Sequence, residues 1–444
     1  RVMSTLLCAT MLVGMITGCG SNNTESAGNT SSNAASTESG DGEKVVLNVI
    51  NYHVGTDYAA DYYSYLFDAF QQTEEGKNVE FKFEEIPTTD AYNQKIKLLI
   101  SSGDLPDIVF NGGNNITALA AEAGKVTDLT PYLDNDPEWK AMFDEKDLEF
   151  NSYEGKVYGI PVSKEISYIY YNKDLFAEAG LEAPDVAYET WDEFFDACDT
   201  LKSKNITPVS MDTDLGWLSN LWYSGLIGTS GEEGNEFMNT AYPTDYNVPV
   251  VEEATEQLQK MLENYTTSDA AGGKYDTMAT HFFNGEVAML PNGPWMIPDF
   301  NSTEKAPEGF YDKVGIMLLP GAGLESVSTP GDMVGASDPK KIEAAVAFLK
   351  FETTAENQLK ALEMAGLQPV SSNIEVPDSL KESDPLMAEV LEIQSKAKYT
   401  YGQNQAYWYQ NVIDTFSNQL PELAYGNITA TEFCEKLTES AQKN

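Results

Sequence analysis

Between Val45 and Phe110 the chain alternates short apolar runs with amphipathic stretches, and this rhythm constrains the fold more than any other feature. Residues 45–50 form a compact apolar run. Tyr62, Leu66 and Phe70 then fall four residues apart, on one side of a helix. Val79-Glu80-Phe81-Lys82-Phe83 alternates as a strand does, and residues 92–101 carry a helical pattern. Gly103-Asp104-Leu105-Pro106 breaks that helix, and Asp107-Ile108-Val109-Phe110 is the next short strand. Strand and helix in strict alternation imply an α/β protein, with a parallel sheet covered by helices.

The pattern continues downstream. Thr190 with Glu193 reads as a capping box, followed by Phe194, Ala197, Cys198 and Leu201 at amphipathic-helix spacing. Asp338 and Pro339 start another helix, with Ile342, Ala345, Val346 and Leu349 on its buried face. Residues 287–290 and 314–319 read as further apolar strands, and no repeat of solenoid period is present. A chain of 444 residues exceeds what one core fills, since single cores stop growing near roughly 300 residues. Two lobes are expected. Open α/β sheets take ligands beyond the C-terminal ends of their strands, which places a site in the cleft between the lobes.

The N-terminus reads as an address. Residues 6–16 are an apolar run behind Arg1, too short for a permanent membrane helix. The run ends in Ile16-Thr17-Gly18-Cys19, which resembles a bacterial lipoprotein processing site and implies a diacylated Cys19. Residues 20–42 hold Ser, Asn, Thr, Gly, Ala, Glu and one Asp with no large apolar side chain, the composition of a flexible tether. Two acyl chains anchor a protein stably where one does so only reversibly. The expectation is an extracytoplasmic protein, leader 1–18 and tether 19–44, held to the bacterial cell membrane by lipid alone.

Charge and composition then narrow the partners. Seventy acidic against 27 basic residues give a net charge of −43, which repels nucleic acid and disfavours strongly anionic ligands. His53 and His281 are the two histidines, and neither they nor the four cysteines stand at metal-ligand spacing. No metal or cofactor is expected. His281, beside Phe282 and Phe283, reads as packed on the buried face of a helix, and Cys198 as core. The chain carries 24 Tyr and 6 Trp, aromatic surface beyond the needs of a core.

Three segments go further. Tyr158-Gly159-Ile160-Pro161 leads into Tyr170-Tyr171-Asn172-Lys173-Asp174-Leu175-Phe176. Phe282-Phe283-Asn284-Gly285-Glu286-Val287-Ala288-Met289 runs on to Asn292-Gly293-Pro294-Trp295. Gly366-Leu367-Gln368-Pro369-Val370 follows a helix. In combination these resemble the extracellular solute-binding proteins of carbohydrate ABC importers, the family that includes maltose-binding protein. The resemblance runs from about Val45 to the C-terminus. It implies a two-lobe periplasmic-binding-protein-like fold of type II, a hinge, and a ligand cleft at the interface. The first lobe would comprise 45–161 plus 330–368, and the second 162–329 plus 369–444, with crossings near Pro161, Pro330 and Pro369.

The resemblance also implies site residues. Glu165, at its spacing from Pro161, matches a glutamate that contacts sugar hydroxyls, and Trp295 matches a stacking tryptophan. Trp408, within Tyr407-Trp408-Tyr409, is similar to a second one. Asn111-Gly112-Gly113-Asn114-Asn115 departs from maltose-binding protein, and an amide cluster there, led by Asn111 and Asn114, suits other sugars. Sugars show C–H patches on their faces and hydroxyls at their edges, so aromatic rings, carboxylates and amides are the fitting partners. Trp217, on a loop after Asp212, Asp214 and Gly216, joins the candidates, whereas Trp222 between Leu221 and Tyr223 divides between core and cleft. Tyr52, His53, Glu85 and Asp332 are candidates for the rim, with Tyr407 beside Trp408.

The expected function is capture of a mono- or oligosaccharide by hinge closure and delivery to ABC permease subunits, by a monomer. Two other classes stay open. One is a binding protein for a polyamine or peptide, whose ligands also suit aromatic and acidic clefts. The other is a secreted glycan-active enzyme, which needs two carboxylates about 5 to 9.5 Å apart across a cleft. Neither a nucleophile elbow, a phosphate loop nor an HExxH helix is present to support catalysis.

Overall fold

The computed structural model describes residues 44–110, 112, 116–371 and 374–443. The leader, Cys19, and Asn111 and Asn114 lie outside the described residues, as does the tether apart from Lys44.

Among the described residues thirteen strands run in chain order: β1 (Val45–Asn51), β2 (Val79–Glu85), β3 (Ile108–Val109), β4 (Ser152–Tyr153), β5 (Lys156–Val157), β6 (Gly159–Ile160) and β7 (Lys164–Asn172). They continue as β8 (Thr207–Val209), β9 (Val287–Asn292), β10 (Val314–Met317), β11 (Gly323–Ser328), β12 (Asp332–Val334) and β13 (Tyr399–Tyr401). A first sheet has the order β2-β1-β3-β12-β6, and a second the order β13-β11-β7-β9-β8 with β10 also on β7. β1 runs parallel to both β2 and β3, as the alternation predicts. β12 and β6 add antiparallel partners. The small hairpin β4–β5 stands apart.

The helices sit where periodicity and capping place them. Tyr62, Leu66 and Phe70 line the buried side of the helix Ala60–Phe70. The Thr190 hydroxyl accepts from Glu193 N at 3.2 Å and caps the helix Trp191–Ser203. Glu193 reaches past it to accept from Glu189 N, so the reciprocal half of that capping box is absent. A complete box forms instead at Thr429 and Glu432. Asp338 accepts from Lys340 N and Lys341 N to start the helix Pro339–Glu352.

Each sheet has its own apolar interior. Leu47, Val49, Ile108, Val109, Phe348 and Leu349 belong to the core of the first lobe. Two cores flank the second sheet, one around Ile169, Phe194, Trp222 and Phe416, the other around Tyr168, Tyr170, Phe282 and Phe300. Burying such side chains contributes about 25 cal/mol per Å² of apolar surface, and this burial does most to hold each lobe together. Among the described residues no helix is long and apolar enough to cross a membrane.

The chain passes between the sheets at 161–163, where β6 gives way to β7, and returns at 329–331, where β11 gives way to β12. A third passage follows the helix Ala355–Ala365, where Lys164 N donates to Gln368 O at 2.9 Å. Three buried side chains stitch these passages together. Asn151 Nδ2 donates to Thr329 O at 3.0 Å while its Oδ1 accepts from Gly331 N. Thr329 Oγ1 donates to Ser163 O at 2.7 Å. Gln358 Nε2 donates to Val162 O at 2.7 Å, and its Oε1 accepts from Val370 N at 2.9 Å. Each buried backbone group at the passages so named has a partner, which such groups require.

His281 departs from expectation. It lies on the helix Tyr275–Phe283, but its ring is half-buried between two carboxylates: Nδ1 pairs with Glu286 and Nε2 with Asp269 at 3.0 Å. Phe282 and Phe283 take the apolar face in its place. Cys198 is fully buried in the second-lobe core, as is Cys434, and both are free thiols.

Candidate ligand-binding site

The C-terminal ends of the first sheet's parallel strands and the facing edge of the second sheet enclose a cleft of about 270 Å³. From the first lobe, Tyr52 and His53 line it directly after β1, with Tyr58 and Tyr63 on the next turn and helix. Thr89 and Gly112 complete that side. From the second lobe come Glu165 on β7, Trp217 at the start of the helix Trp217–Gly228, and Trp295 after β9. Val162 and Ser163 on one passage, Lys164 at the start of β7, and Gly366 and Leu367 on another passage complete the lining.

The two indoles are held as a pair. The ring centroids of Trp217 and Trp295 lie 6.4 Å apart with planes tilted by 52°, and both are half-buried. Trp295 sits on a 3₁₀ turn whose entry is fixed by polar contacts. Tyr170 OH donates to Gly293 O at 2.9 Å, and Gly293 N donates to Asn292 Oδ1 at 2.9 Å. Gly293 has no side chain because the indole lies over its backbone; an added Cβ would stand 2.1 Å from the Trp295 ring. Gly366, at φ +68°, lets the opposite wall approach, since a Cβ there would stand 2.6 Å from Pro294 O.

The first-lobe wall is a stack of rings. His53 lies parallel to Tyr63 at 4.1 Å and 7°, with Tyr52 at 3.9 Å on a tilt. His53 Nδ1 pairs with Asp57 Oδ1 at 2.7 Å, and the same carboxylate oxygen accepts from Ala59 N, fixing the loop that carries Tyr58. Burial lowers the His53 pKa, and Asp57 opposes that shift. Tyr58 remains 38% exposed, and burial in the cleft raises its phenol with help from Glu165 across the gap.

Among the described lining residues, Glu165 is the one free carboxylate. Burial without a cationic partner pushes it up to about 7. Lys164, the sole lysine of that lining, turns its ammonium away to Asp144 at 2.6 Å and Asp147 at 3.7 Å. Behind Glu165 on the same sheet face is Glu325, 2% exposed, which accepts from Ser167 Oγ at 3.0 Å and Gln403 Nε2 at 3.2 Å. Burial pushes it up to about 8, with the nearby Glu165 charge adding to the rise. A cleft built this way offers ring faces, one acceptor carboxylate and hydroxyls. Its described residues offer no free cation. Among the described residues no group of three or more His, Cys, Asp or Glu is placed to hold a metal ion.

Of the sequence candidates, the structure brings together Tyr52, His53, Glu165, Trp217 and Trp295. Four others are elsewhere. Trp408 is 3% exposed and packs edge-on to Tyr246 at 4.7 Å within the second-lobe core, where its apolar neighbours hold it. Tyr407, half-buried, turns toward Phe150 with ring centroids 5.5 Å apart. Asp332 is 1% exposed on β12 inside the first sheet, and Glu85 projects to solvent at the end of the edge strand β2. Trp222 resolves to core: it is fully buried, and Nε1 donates to Ser210 O at 3.0 Å. Tyr58, Tyr63 and Thr89 were not legible in the sequence. The turn Val54-Gly55-Thr56-Asp57 just past the first strand was the available signal for Tyr58, because that is where open sheets bind ligands.

Known proteins resemble this chain over most of its length. A multiple sugar-binding protein of Streptococcus mutans is 27% identical over 290 residues, covering 61% of this chain and 64% of that relative. That alignment spans just under two-thirds of the relative's own length. An sn-glycerol-3-phosphate-binding periplasmic protein of Shigella flexneri is 24% identical over 327 residues, covering 68% of this chain and 70% of the relative. The solved structure of a chitin oligosaccharide binding protein superposes with a TM-score of 0.75 at 26% identity, covering 90% of this chain and 99% of that one. The profile of the bacterial extracellular solute-binding proteins matches residues 66–389, about three-quarters of the sequence. The chain belongs to the bacterial extracellular solute-binding proteins.

Proposed function

We propose that the cleft captures an uncharged mono- or oligosaccharide and that the protein delivers it to the permease of an ABC importer. The observation that carries this reading is the meeting of the Trp217 and Trp295 rings and the Glu165 carboxylate, from one lobe, with Tyr52, Tyr58 and Tyr63 from the other. Ring faces cover the C–H patches of a pyranose, and a carboxylate and hydroxyls take its edge. The sugar-binding relatives support the same class.

The charge balance selects within that class. With Lys164 committed to Asp144 and Asp147, nothing in the described lining compensates an anionic guest. A sugar phosphate or uronate would face Glu165 without a counter-charge, and burying an unpaired charge is costly. The glycerol-phosphate-binding relative therefore differs from this protein in ligand, though it shares ancestry.

Capture proceeds by rotation of the lobes about the passages at 161–163, 329–331 and 366–371. The first lobe is 45–161 plus 330–368, and the second 162–329 plus 369–444. A ligand shifts the open–closed balance only by its differential affinity for the two states, so rings on opposite lobes contribute most. No covalent step is involved. Micromolar capture corresponds to about −8 kcal/mol. The protein acts as a monomer tethered through lipid on Cys19, a reading supported by the leader and by segment 20–42, which has no large apolar side chain.

The test is calorimetric titration with maltotriose, xylotriose, triacetylchitotriose, glycerol 3-phosphate and spermidine. Saturable binding of a neutral glycan is expected. Binding of spermidine with no glycan response would assign the aromatic and acidic cleft to polyamines, and product formation from any glycan would make the protein an enzyme.

A further inference from the structure

Trp217 occupies an unusual place for a residue that lines a cleft: it is the first residue of a helix. The two residues before it, Leu215 and Gly216, both have left-handed backbones, at φ 67° and 70°. A leucine in that region is strained, and two such residues in succession reverse the chain sharply. The reversal carries the Asp212 side chain back under the start of the helix. Its Oδ2 accepts from Trp217 N at 3.0 Å, while Oδ1 accepts from Leu218 N at 2.8 Å and Ser219 N at 3.3 Å.

Asp212 is fully buried and is not among the residues that line the cleft. Burial pushes its carboxyl up to about 6 against the pull of the three amide donors, which leaves it mostly ionised at neutral pH. Negative charge at a helix N-terminus is favourable, because the first amides have no partner within the helix. The loop itself is anchored next door: Thr213 Oγ1 donates to Ala270 O at 3.0 Å and accepts from Gly272 N at 2.6 Å. Gly216, in the N-cap position, has no side chain with which to cap. Asp212 performs that task from five residues before Trp217, and the amide it holds belongs to the residue whose indole faces Trp295.

We propose that Asp212 is the positioning residue for Trp217: it touches no ligand, yet it fixes the indole in the tilted pairing with Trp295 that grips a sugar ring. The proposal rests on reading the cleft as a glycan site, so its test has one arm with ligand and one without. In the first arm, Asp212→Ala is titrated calorimetrically with whichever of maltotriose, xylotriose and triacetylchitotriose binds the wild-type protein most tightly. Binding is expected to weaken about tenfold, the scale of one lost charged cap. Asp212→Asn keeps one acceptor oxygen and is expected to lose less, and it carries the test should the alanine variant not fold.

A double-mutant cycle separates positioning from general damage. In a Trp217→Ala background the Asp212 substitution is expected to cost no further affinity; a penalty as large as in the wild-type background overturns the proposal. The second arm uses 5-fluorotryptophan-labelled protein, whose six indole resonances report each ring separately. The Trp217 signal, assigned by Trp217→Phe, is expected to shift or broaden in the Asp212 variants, with Trp139 and Trp191 unmoved. An unmoved Trp217 signal refutes the assignment. If none of the three trisaccharides binds the wild-type protein, the glycan reading of the cleft falls, and the fluorine spectrum alone decides the role of Asp212.

Discussion

The indoles of Trp217 and Trp295 come from well-separated parts of the second lobe's sequence, yet their centroids lie 6.4 Å apart, tilted by 52°. One is placed by a helix start and the other by a 3₁₀ turn after a central strand, so two unrelated local rules converge on one surface. This convergence separates residues that serve the cleft from residues that merely resemble such residues in sequence.

Trp217→Ala and Trp295→Ala are each expected to weaken glycan binding about tenfold or more, from lost ring contact and burial, with little change in unfolding free energy. Trp408→Ala is expected to behave oppositely. Its indole is core, so truncation should cost about 3–5 kcal/mol of stability and leave the affinity of the folded fraction intact. Paired denaturation and calorimetry measure both quantities on the same samples. Loss of affinity in a fully folded Trp408→Ala would contradict this division.

Gly293→Ala tests the seat of Trp295. A Cβ would meet the indole at 2.1 Å, and the ring, not the backbone, is the movable partner. The variant is expected to fold with Tm within a few degrees of wild type and to bind glycan about tenfold more weakly. A larger effect on Tm than on affinity would mean that the backbone moves instead.

Acid should weaken capture of a neutral glycan. Burial holds Glu165 up to about 7, so the carboxylate proposed to accept sugar hydroxyls is lost as pH falls through that value. Affinity measured from pH 8 to pH 5 is expected to fall, with proton release on binding near pH 6.5, and Glu165→Gln should flatten the profile. The stability effect has the reverse sign. Between the unfolded value, about 4.5, and about 7 the folded chain holds a proton that the unfolded chain has released, so this group's contribution to stability declines as pH rises through that window. Glu325, held up to about 8, extends the same decline further.

Gln358→Ala addresses the hinge. It removes the acceptor for Val370 N and the donor to Val162 O, both at buried passages between lobes. Unsatisfied buried groups cost about 1–3 kcal/mol each, so urea denaturation should register the loss. Because the two bonds tie separate passages, the ligand-free radius of gyration by small-angle scattering is also expected to change. An unchanged radius would limit Gln358 to a stabilising role.

The class of fold was readable from the sequence because β1 to β3 obey short-range periodicity with Gly and Pro as punctuation. The antiparallel insertion of β12 was not, since nothing local in Asp332-Met333-Val334 announces a partner so far upstream. Among site residues, Glu165 and Trp295 were marked by their spacing within motifs that resemble the family. Trp408 carried a similar mark and went to the core, because Tyr223, Phe237 and Tyr246 supply ring edges on its own lobe. An aromatic triplet in sequence does not reveal which ring turns inward. Tyr58 and Tyr63 were missed because their role depends on the His53–Asp57 pair, a contact of two polar residues that reads simply as a turn.

The first sheet places β12 between β3 and β6, although Asp332 is synthesised long after Ile160. Until β12 is made, β3 and β6 lack the strand that joins them in the first sheet. Long-range pairing of this kind is slow to form. The first sheet is therefore complete only once residues 332–334 have paired with Ile108–Val109 on one side and Gly159–Ile160 on the other.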